Sequence, residues 1–312
     1  MKITFFGSAH FAVPALEALI KSRHELVCVV TQPDKKKGRH LHVSQTDVKS
    51  TAVAAKLKTF QPENIKSKES VDFLKSLDAD LFIIVAYGQI LSQEVLDIPK
   101  IMPINIHASL LPSYRGAAPI NWAIINAEKK TGVSIMYVSL KMDSGPVILQ
   151  KEIRIEEDDT AVSLEEKLRN LGAELLMDAL KIIDDRSYRL LDQDEDKVIY
   201  APKLKKDDGL IEWDEPAIDI HNQIRGVLPW PGAFTSYRGK MLKIFQSDVL
   251  PLFPNHKPVS GEVVRADKNG VVVACGRGFL KLKELQLEAG KRMSGENFII
   301  GHKLKAGDVL GK

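Results

Sequence analysis

The 312-residue sequence predicts an α/β protein, with a doubly wound, mainly parallel, Rossmann-like sheet in its N-terminal region and a small OB-like β-barrel domain after it. Three observations carry that expectation. Short apolar runs alternate with helix-period patterns up to about residue 184, which is the punctuation of βαβ units. The alternation then gives way to the charge-dense stretch Asp192-Gln193-Asp194-Glu195-Asp196-Lys197. Beyond it, strand-like runs are separated by Gly, Pro and Asn-Gly turns, the chemistry of hairpins rather than of crossovers.

Taken in order, Ile3–Phe6 opens the sheet, Gly7 turns the chain, and a helix follows near Val13–Lys21. Further strands are expected at Leu26–Val30, Leu81–Val85, Ile104–Ile106 and Val133–Val138. Uninterrupted apolar strands of this kind belong to parallel sheets covered on both faces. A helix from Leu164 to Ile183 sets Leu164, Leu168, Leu171, Leu175 and Leu180 at helical spacing, with Ser163 and Glu166 as a capping box. The expected domains are therefore 1–188 and 207–312, joined by a connection over 189–206. In the second, strands are expected at Met241–Phe245, Gly261–Val264, Gly270–Ala274 and Phe279–Leu285. A five-stranded barrel suits them, with a sandwich as the alternative.

Composition narrows the function classes. Hydrophobic residues make up 44% and charged residues 27%, as expected of a globular chain able to bury sizeable cores. No apolar run approaches the roughly 20 residues that span a bilayer, and Met1-Lys2 leads straight into a strand, so a cytoplasmic protein without membrane contact is expected. Only Cys28 and Cys275 are present, far apart in apolar stretches, which speaks against a disulfide framework or a cysteine metal site. The net charge of +3 is unevenly spread. From His221 to Lys312 there are 15 Lys and Arg against 7 Asp and Glu, a surplus of +8, while residues 1–220 carry −5. A polyanionic partner and a plain solvated basic face both fit that asymmetry. Gly7-Ser8-Ala9-His10-Phe11-Ala12 lacks the second and third glycines of a dinucleotide turn, and no Walker loop, zinc helix or nucleophile elbow occurs.

The chemistry-bearing run is Asn105-Ile106-His107-Ala108-Ser109-Leu110-Leu111-Pro112, closed by Gly116. Side chains alternate across a strand, so Asn105 and His107 share the face opposite Ile104 and Ile106. They stand where an apolar strand ends, and in open α/β sheets ligands bind beyond such carboxyl ends. Asp143, in the turn Met142-Asp143-Ser144-Gly145-Pro146, is a candidate acid, although Asp is a common turn former and nothing in the spacing brings it to His107.

Asn105-x-His107 with Ser109-Leu110-Leu111-Pro112 and Asp143 resembles the folate-dependent formyltransferases. Phe5-Phe6-Gly7, Phe11-Ala12-Val13-Pro14, Val30-Thr31-Gln32-Pro33-Asp34, Arg115-Gly116-Ala117-Ala118-Pro119-Ile120 and Ile224-Arg225-Gly226-Val227-Leu228-Pro229-Trp230-Pro231-Gly232-Ala233 point to the branch acting on initiator methionyl-tRNA. The resemblance spans nearly the whole chain. It departs at Ser8-Ala9-His10, where the family commonly has Thr-Pro-Asp.

The resemblance implies formyl transfer from 10-formyltetrahydrofolate to the α-amino group of methionine on initiator tRNA. Asn105, His107 and Asp143 would be catalytic. The first two would donate to the developing oxyanion, and Asp143 would orient His107 and help take the amine proton. Ser109, Leu110, Leu111 and Pro112 would cradle the folate, with the backbone of Tyr87, Gly88, Gln89, Ile90 and Leu91 holding its pterin-like ring. The chemistry needs no metal, and a monomer is expected. Lys35, Lys36, Lys37, Arg39 and His40 form a basic loop that could bend around an acceptor stem; a charge run is also commonly just solvated. Two other readings stand beside this one. An amino-sugar nucleotide could be the acceptor, since sugar formyltransferases share several of these motifs; alternatively, the chain could be a nonenzymatic RNA-binding module, against which the intact Asn105, His107 and Asp143 argue.

Overall fold

The protein is described here from a computed structural model covering residues 1–37, 42–251 and 258–311, with the backbone alone at positions 36, 37, 42 and 43. The chain forms two compact units. One comprises Met1–Ala117, Lys130–Arg154 and Glu165–Ala201; the other comprises Ala118–Lys129, Ile155–Leu164 and the chain from Pro202 onward.

The first unit is built on a seven-stranded sheet. Its spatial order is Val147–Arg154, Lys130–Tyr137, Met102–His107, Leu81–Val85, Lys2–Gly7, Glu25–Val30 and Thr59–Phe60. The last five run parallel. Lys130–Tyr137 was expected as a further strand of parallel type, but it pairs antiparallel with Met102–His107, and Val147–Arg154 pairs antiparallel with it in turn. A strand buried on both faces reads as one apolar run whichever way it points, so its direction is silent in the sequence. Strand order reverses between Lys2–Gly7 and Leu81–Val85, which makes the crevice beyond Gly7 and Val85 the topological switch point. The register sets Phe6 beside Ile84 and Ile84 beside Asn105, so these strands end together and their following turns gather at one edge.

Packing holds that edge in place. Phe6, Phe82 and Tyr87 form an aromatic group on one face, Phe6 lying 4.9 Å from Phe82 and 5.6 Å, edge-on, from Tyr87 between ring centroids. Such pairs contribute about 0.5–1.5 kcal/mol beyond their area burial. On the other face the long helix Ala161–Asp184 sets Gly172 against Ile106 and Val133, and buries Leu168, Leu175, Leu176 and Leu180. The expected capping box shifts three residues upstream. Thr160 caps the helix: its hydroxyl accepts from the Ser163 amide at 3.2 Å, while the Ser163 hydroxyl accepts from the Thr160 amide at 3.0 Å.

In the second unit a six-stranded antiparallel sheet runs Ala233–Tyr237, Lys240–Leu250, Phe279–Leu287, Gly270–Ala274 and Val263–Asp267, with Met293–Ser294 paired to Phe279–Leu287. Trp213, Leu242, Leu280, Leu282 and Phe298 fill its core. The Asn269-Gly270 turn joins two of its strands, Gly270 taking φ 107. Helix Pro119–Ile125 also belongs to this unit, where the Asn121 amide donates to the Gly226 carbonyl at 2.7 Å. Among the described residues no helix is long and apolar enough to cross a membrane.

Candidate active site

His107 ends its strand almost fully buried, with one ring nitrogen hydrogen-bonded and the other facing a carboxylate. Nε2 lies 2.9 Å from the Tyr114 carbonyl oxygen. A carbonyl only accepts, so Nε2 carries the hydrogen. Nδ1 faces the Asp143 carboxylate at 3.7 Å, beyond hydrogen-bond range but close for charges in a site where the two side chains are 7% and 18% exposed. The structure therefore brings together the pair that spacing alone left apart. Asn105, two residues earlier on the same strand face, is half-buried, and its amide has no hydrogen-bond partner among the described residues.

The segment after His107 folds back on itself. The Ser109 hydroxyl donates to the Ser113 carbonyl at 2.6 Å, and the Ser134 hydroxyl donates to the Ser109 carbonyl while accepting from the Leu111 amide. Leu111 is buried against Met136 and Val147, and Leu110 overlies Gly132, where a Cβ would come within 2.5 Å of it. The Leu111–Pro112 bond is cis. Ser109 and Leu111 thus shape the turn through their side chains instead of offering them outward.

Residues Tyr87 to Leu91 leave the neighbouring strand beside the switch point. The Tyr87 ring is turned into the core and its carbonyl accepts from the Ser8 hydroxyl at 2.9 Å. Gln89 is structural, accepting from the Ile65 amide and donating to the Pro62 carbonyl. Leu91 is buried, whereas Gly88 and Ile90 are exposed. Among the described residues the backbone of Gly88, Gln89 and Ile90 makes no hydrogen bond, leaving an open edge of peptide donors and acceptors. Gly88 takes φ 87, and a Cβ there would meet the Gln32 amide nitrogen at 2.4 Å. Of the basic loop, Lys35 is exposed and donates to Gln32 at 2.8 Å. The backbone of Lys36 and Lys37 pairs with His42–Ser44; their side chains, and Arg39 and His40 entirely, lie outside the described residues.

Comparison with known proteins fits this geometry. A profile described as formyl transferase matches residues 1–180, and one described as formyl transferase, C-terminal domain, matches 203–303. The methionyl-tRNA formyltransferase of Acetivibrio thermocellus is 46% identical over 312 residues, covering all of both chains. This chain belongs to the methionyl-tRNA formyltransferase family. Another relative of that name, from Caldanaerobacter subterraneus subsp. tengcongensis, is 43% identical across 99% of this chain and 100% of its own. Among solved structures, the sugar 3N-formyl transferase WlaRD, crystallised with dTDP and 5-N-formyl-THF, superposes with a TM-score of 0.68 at 21% identity, over 94% of this chain and 98% of its own. Aquifex aeolicus HypX in complex with tetrahydrofolic acid gives 0.63 at 15%, over 96% of this chain, which spans 47% of HypX. Those two likenesses are of fold alone.

Around this candidate site the structure adds residues to which the sequence assigned no role there. Arg115 is buried, donating from Nε to the Gln193 side-chain oxygen at 2.9 Å and from Nη2 to Glu195 at 2.8 Å. Glu195 also accepts from Lys141 at 2.9 Å. The hydrogen bonds from Arg115, then from Lys141, hold its carboxyl down at about 2. The Gln193 amide donates to the carbonyls of Asp143 and Gly145 at 2.8 and 2.7 Å. The Gly116 amide donates to Asp143 Oδ2 at 2.9 Å. Tyr200–Ala201 pairs in parallel with Arg115–Gly116. The sequence signal for these partners was slight: a stretch read as connection carries one amide side chain, Gln193, among five charged ones.

Proposed function

We propose that this chain carries the formyl group of 10-formyltetrahydrofolate to the α-amino group of methionine on initiator methionyl-tRNA, acting in the cytoplasm as a monomer, for translation initiation. Relatives bearing that name align end to end with it at up to 46% identity. The observation that carries the mechanism is the approach of Asp143 to His107, with Asn105 two residues earlier on the same strand face, at the carboxyl edge of the sheet beside the switch point.

Attack of a neutral amine on the formyl carbon produces a tetrahedral species whose oxygen turns negative. Preorganised donors aimed at that oxygen lower the barrier. Asn105 suits this role because its amide is free of other bonds among the described residues and its strand is fixed by pairing on both sides. His107 is the second group facing the reacting centre. With Nε2 held by Tyr114, the nitrogen that exchanges a proton is Nδ1, on the Asp143 side. A proton taken from the attacking amine would then sit between imidazole and carboxylate, where the negative charge of Asp143 steadies it.

The folate fits the edge at Gly88–Ile90. A pterin-like ring presents a flat row of donors and acceptors, and the unpaired peptide groups there can meet such a row without any side chain. The folded Ser109–Pro112 turn forms the other wall in this reading. Lys35 to His40 would contact phosphates of the acceptor stem, a sequence-independent and salt-sensitive interaction.

Purified protein supplied with 10-formyltetrahydrofolate and charged initiator tRNA, beside an amino-sugar nucleotide, tests the proposal. Formylmethionyl-tRNA is the expected product. Formylation of the sugar alone, or of neither acceptor, overturns it.

A further inference from the structure

Asp143 stands in a backbone conformation that does not hold itself. Its φ is 49, in the left-handed region, which a non-glycine residue occupies at a cost that its surroundings must offset. Its turn, Met142 to Pro146, is exposed in part and carries no helix. Local bonds hold its flanks and not Asp143 itself: the Ser144 amide and hydroxyl reach the Lys141 carbonyl, the Ser139 and Ser144 hydroxyls bond each other, and the Tyr137 amide donates to the Pro146 carbonyl. What fixes Asp143 comes from elsewhere in the chain. The Gln193 amide nitrogen donates to the carbonyls on both sides of Ser144, and the Gly116 amide holds the carboxylate.

The orientation of the Gln193 amide is itself decided. Arg115 only donates, so the side-chain oxygen of Gln193 must face Arg115 Nε and its NH2 group must face the two carbonyls. Arg115 is in turn held by Glu195, which also accepts from Lys141, two residues before Asp143. The network leaves the turn at Asp143 and returns to it at Lys141.

We propose that Arg115, Gln193 and Glu195 form a clamp that sets Asp143 against His107, with Gln193 as the positioning residue at its centre. None of the three side chains hydrogen-bonds to His107 among the described residues. The clamp acts through the placement of the carboxylate 3.7 Å from Nδ1, and it rests on the reading that Asp143 works with His107. In this view segment 189–206 is part of the catalytic apparatus.

The decisive variant is Gln193→Glu, which keeps size and the bond from Arg115 but replaces both donors with an acceptor that repels the carbonyls of Asp143 and Gly145. Gln193→Met removes the donors without adding charge and serves if the first variant does not fold. Lys197→Ala, which breaks only the exposed pair with Asp194, is the control in the same segment. Asp143→Asn tests the underlying reading. Turnover with charged initiator tRNA is measured alongside 15N spectra of histidine-labelled protein, in which the ring nitrogens of His107 report their neighbours. The clamp predicts that kcat falls about 10- to 100-fold in either Gln193 variant, as a displacement of up to about 1 Å would give, with KM for both substrates changed less than about threefold. The His107 signals should move as they do in Asp143→Asn and stay in place in Lys197→Ala. If kcat stays within about threefold of the parent, or falls while the His107 signals do not move, the clamp is refuted. If Asp143→Asn itself retains kcat within about tenfold, the reading beneath the clamp is what fails.

Discussion

Gly116→Ala should injure the enzyme by way of one backbone hydrogen bond. Gly116 takes φ 127, a conformation that side-chain-bearing residues rarely adopt, and a Cβ built there lies 2.5 Å from the Ala201 carbonyl oxygen and 3.1 Å from its carbon. Both nearest atoms are backbone, so no side chain can swing away. The Gly116 amide meanwhile donates to Asp143 Oδ2 at 2.9 Å. Two costs compete. Keeping the backbone in place retains the strained φ, at about 1–3 kcal/mol, together with the clash. Relaxing it away from Ala201 drags the amide off the carboxylate and forfeits a charge-assisted bond of about 1.5–3 kcal/mol. Relief of one cost incurs the other, so a net loss of about 1.5–3 kcal/mol follows, and the melting temperature should fall by about 3–12 °C. A displacement of at least half an ångström at the anchor of Asp143 should lower kcat about 10- to 100-fold. Thermal melting and steady-state formylation of charged initiator tRNA measure the two effects. A variant that melts within about 2 °C of the parent and turns over within about threefold of it would refute the reasoning.

Other perturbations separate the roles within the site. Asn105→Ala should lower kcat about 10²–10³-fold with tRNA affinity little changed, since the lost interaction strengthens only as the oxyanion develops, and His107→Ala should lower kcat about 10²–10⁴-fold because, with its Nε2 hydrogen held by Tyr114, it serves through proton exchange at Nδ1 and not as the oxyanion donor expected from the sequence; steady-state kinetics with an equilibrium binding assay checks this, and a loss confined to KM speaks against both roles. Glu195 supplies a pH test whose sign is fixed by its depressed carboxyl. With an ordinary value of 4.5 lowered to about 2 in the fold, its contribution is present in full above about pH 4.5 and is lost as pH falls through about 2. The difference in melting temperature between the parent and Glu195→Gln should therefore hold steady from pH 7 to pH 5 and narrow below about 4.5; a difference that persists unchanged to about pH 3 contradicts the assigned cause.

How much of this was legible in the sequence depends on what kind of group carries each feature. The sheet was readable because Leu81–Val85 and Met102–His107 are buried on both faces, and burial on both faces leaves an unbroken apolar run. The same cause hid the antiparallel direction of Lys130–Tyr137, since polarity alternation is what would have betrayed a one-sided strand. Asn105 and His107 stood out as polar side chains at the end of such a run. Asp143 was read as a candidate acid, but its place beside His107 was not legible, because Asp is at home in any turn and that approach depends on bonds from residues far along the chain.

Gln193 and Glu195 were the least visible, and the reason is physical. A group that reacts must be of a particular type, so a histidine or an asparagine at a strand end narrows the possible chemistry. A group that positions another needs only to present a donor or acceptor at the right point, and several residue types satisfy that. Glutamine and glutamate in a charge-dense stretch therefore look like solvated connection until folding sets them beside Arg115. That dependence runs one way. Arg115 is buried at 1% exposure with Nη1 unpaired among the described residues, so removing Gln193 or Glu195 leaves more of a buried cation without an acceptor, a state that costs more than either bond contributes. The segment that reads as a linker is held by the burial of that arginine, and the place it is held is against the Asp143 turn.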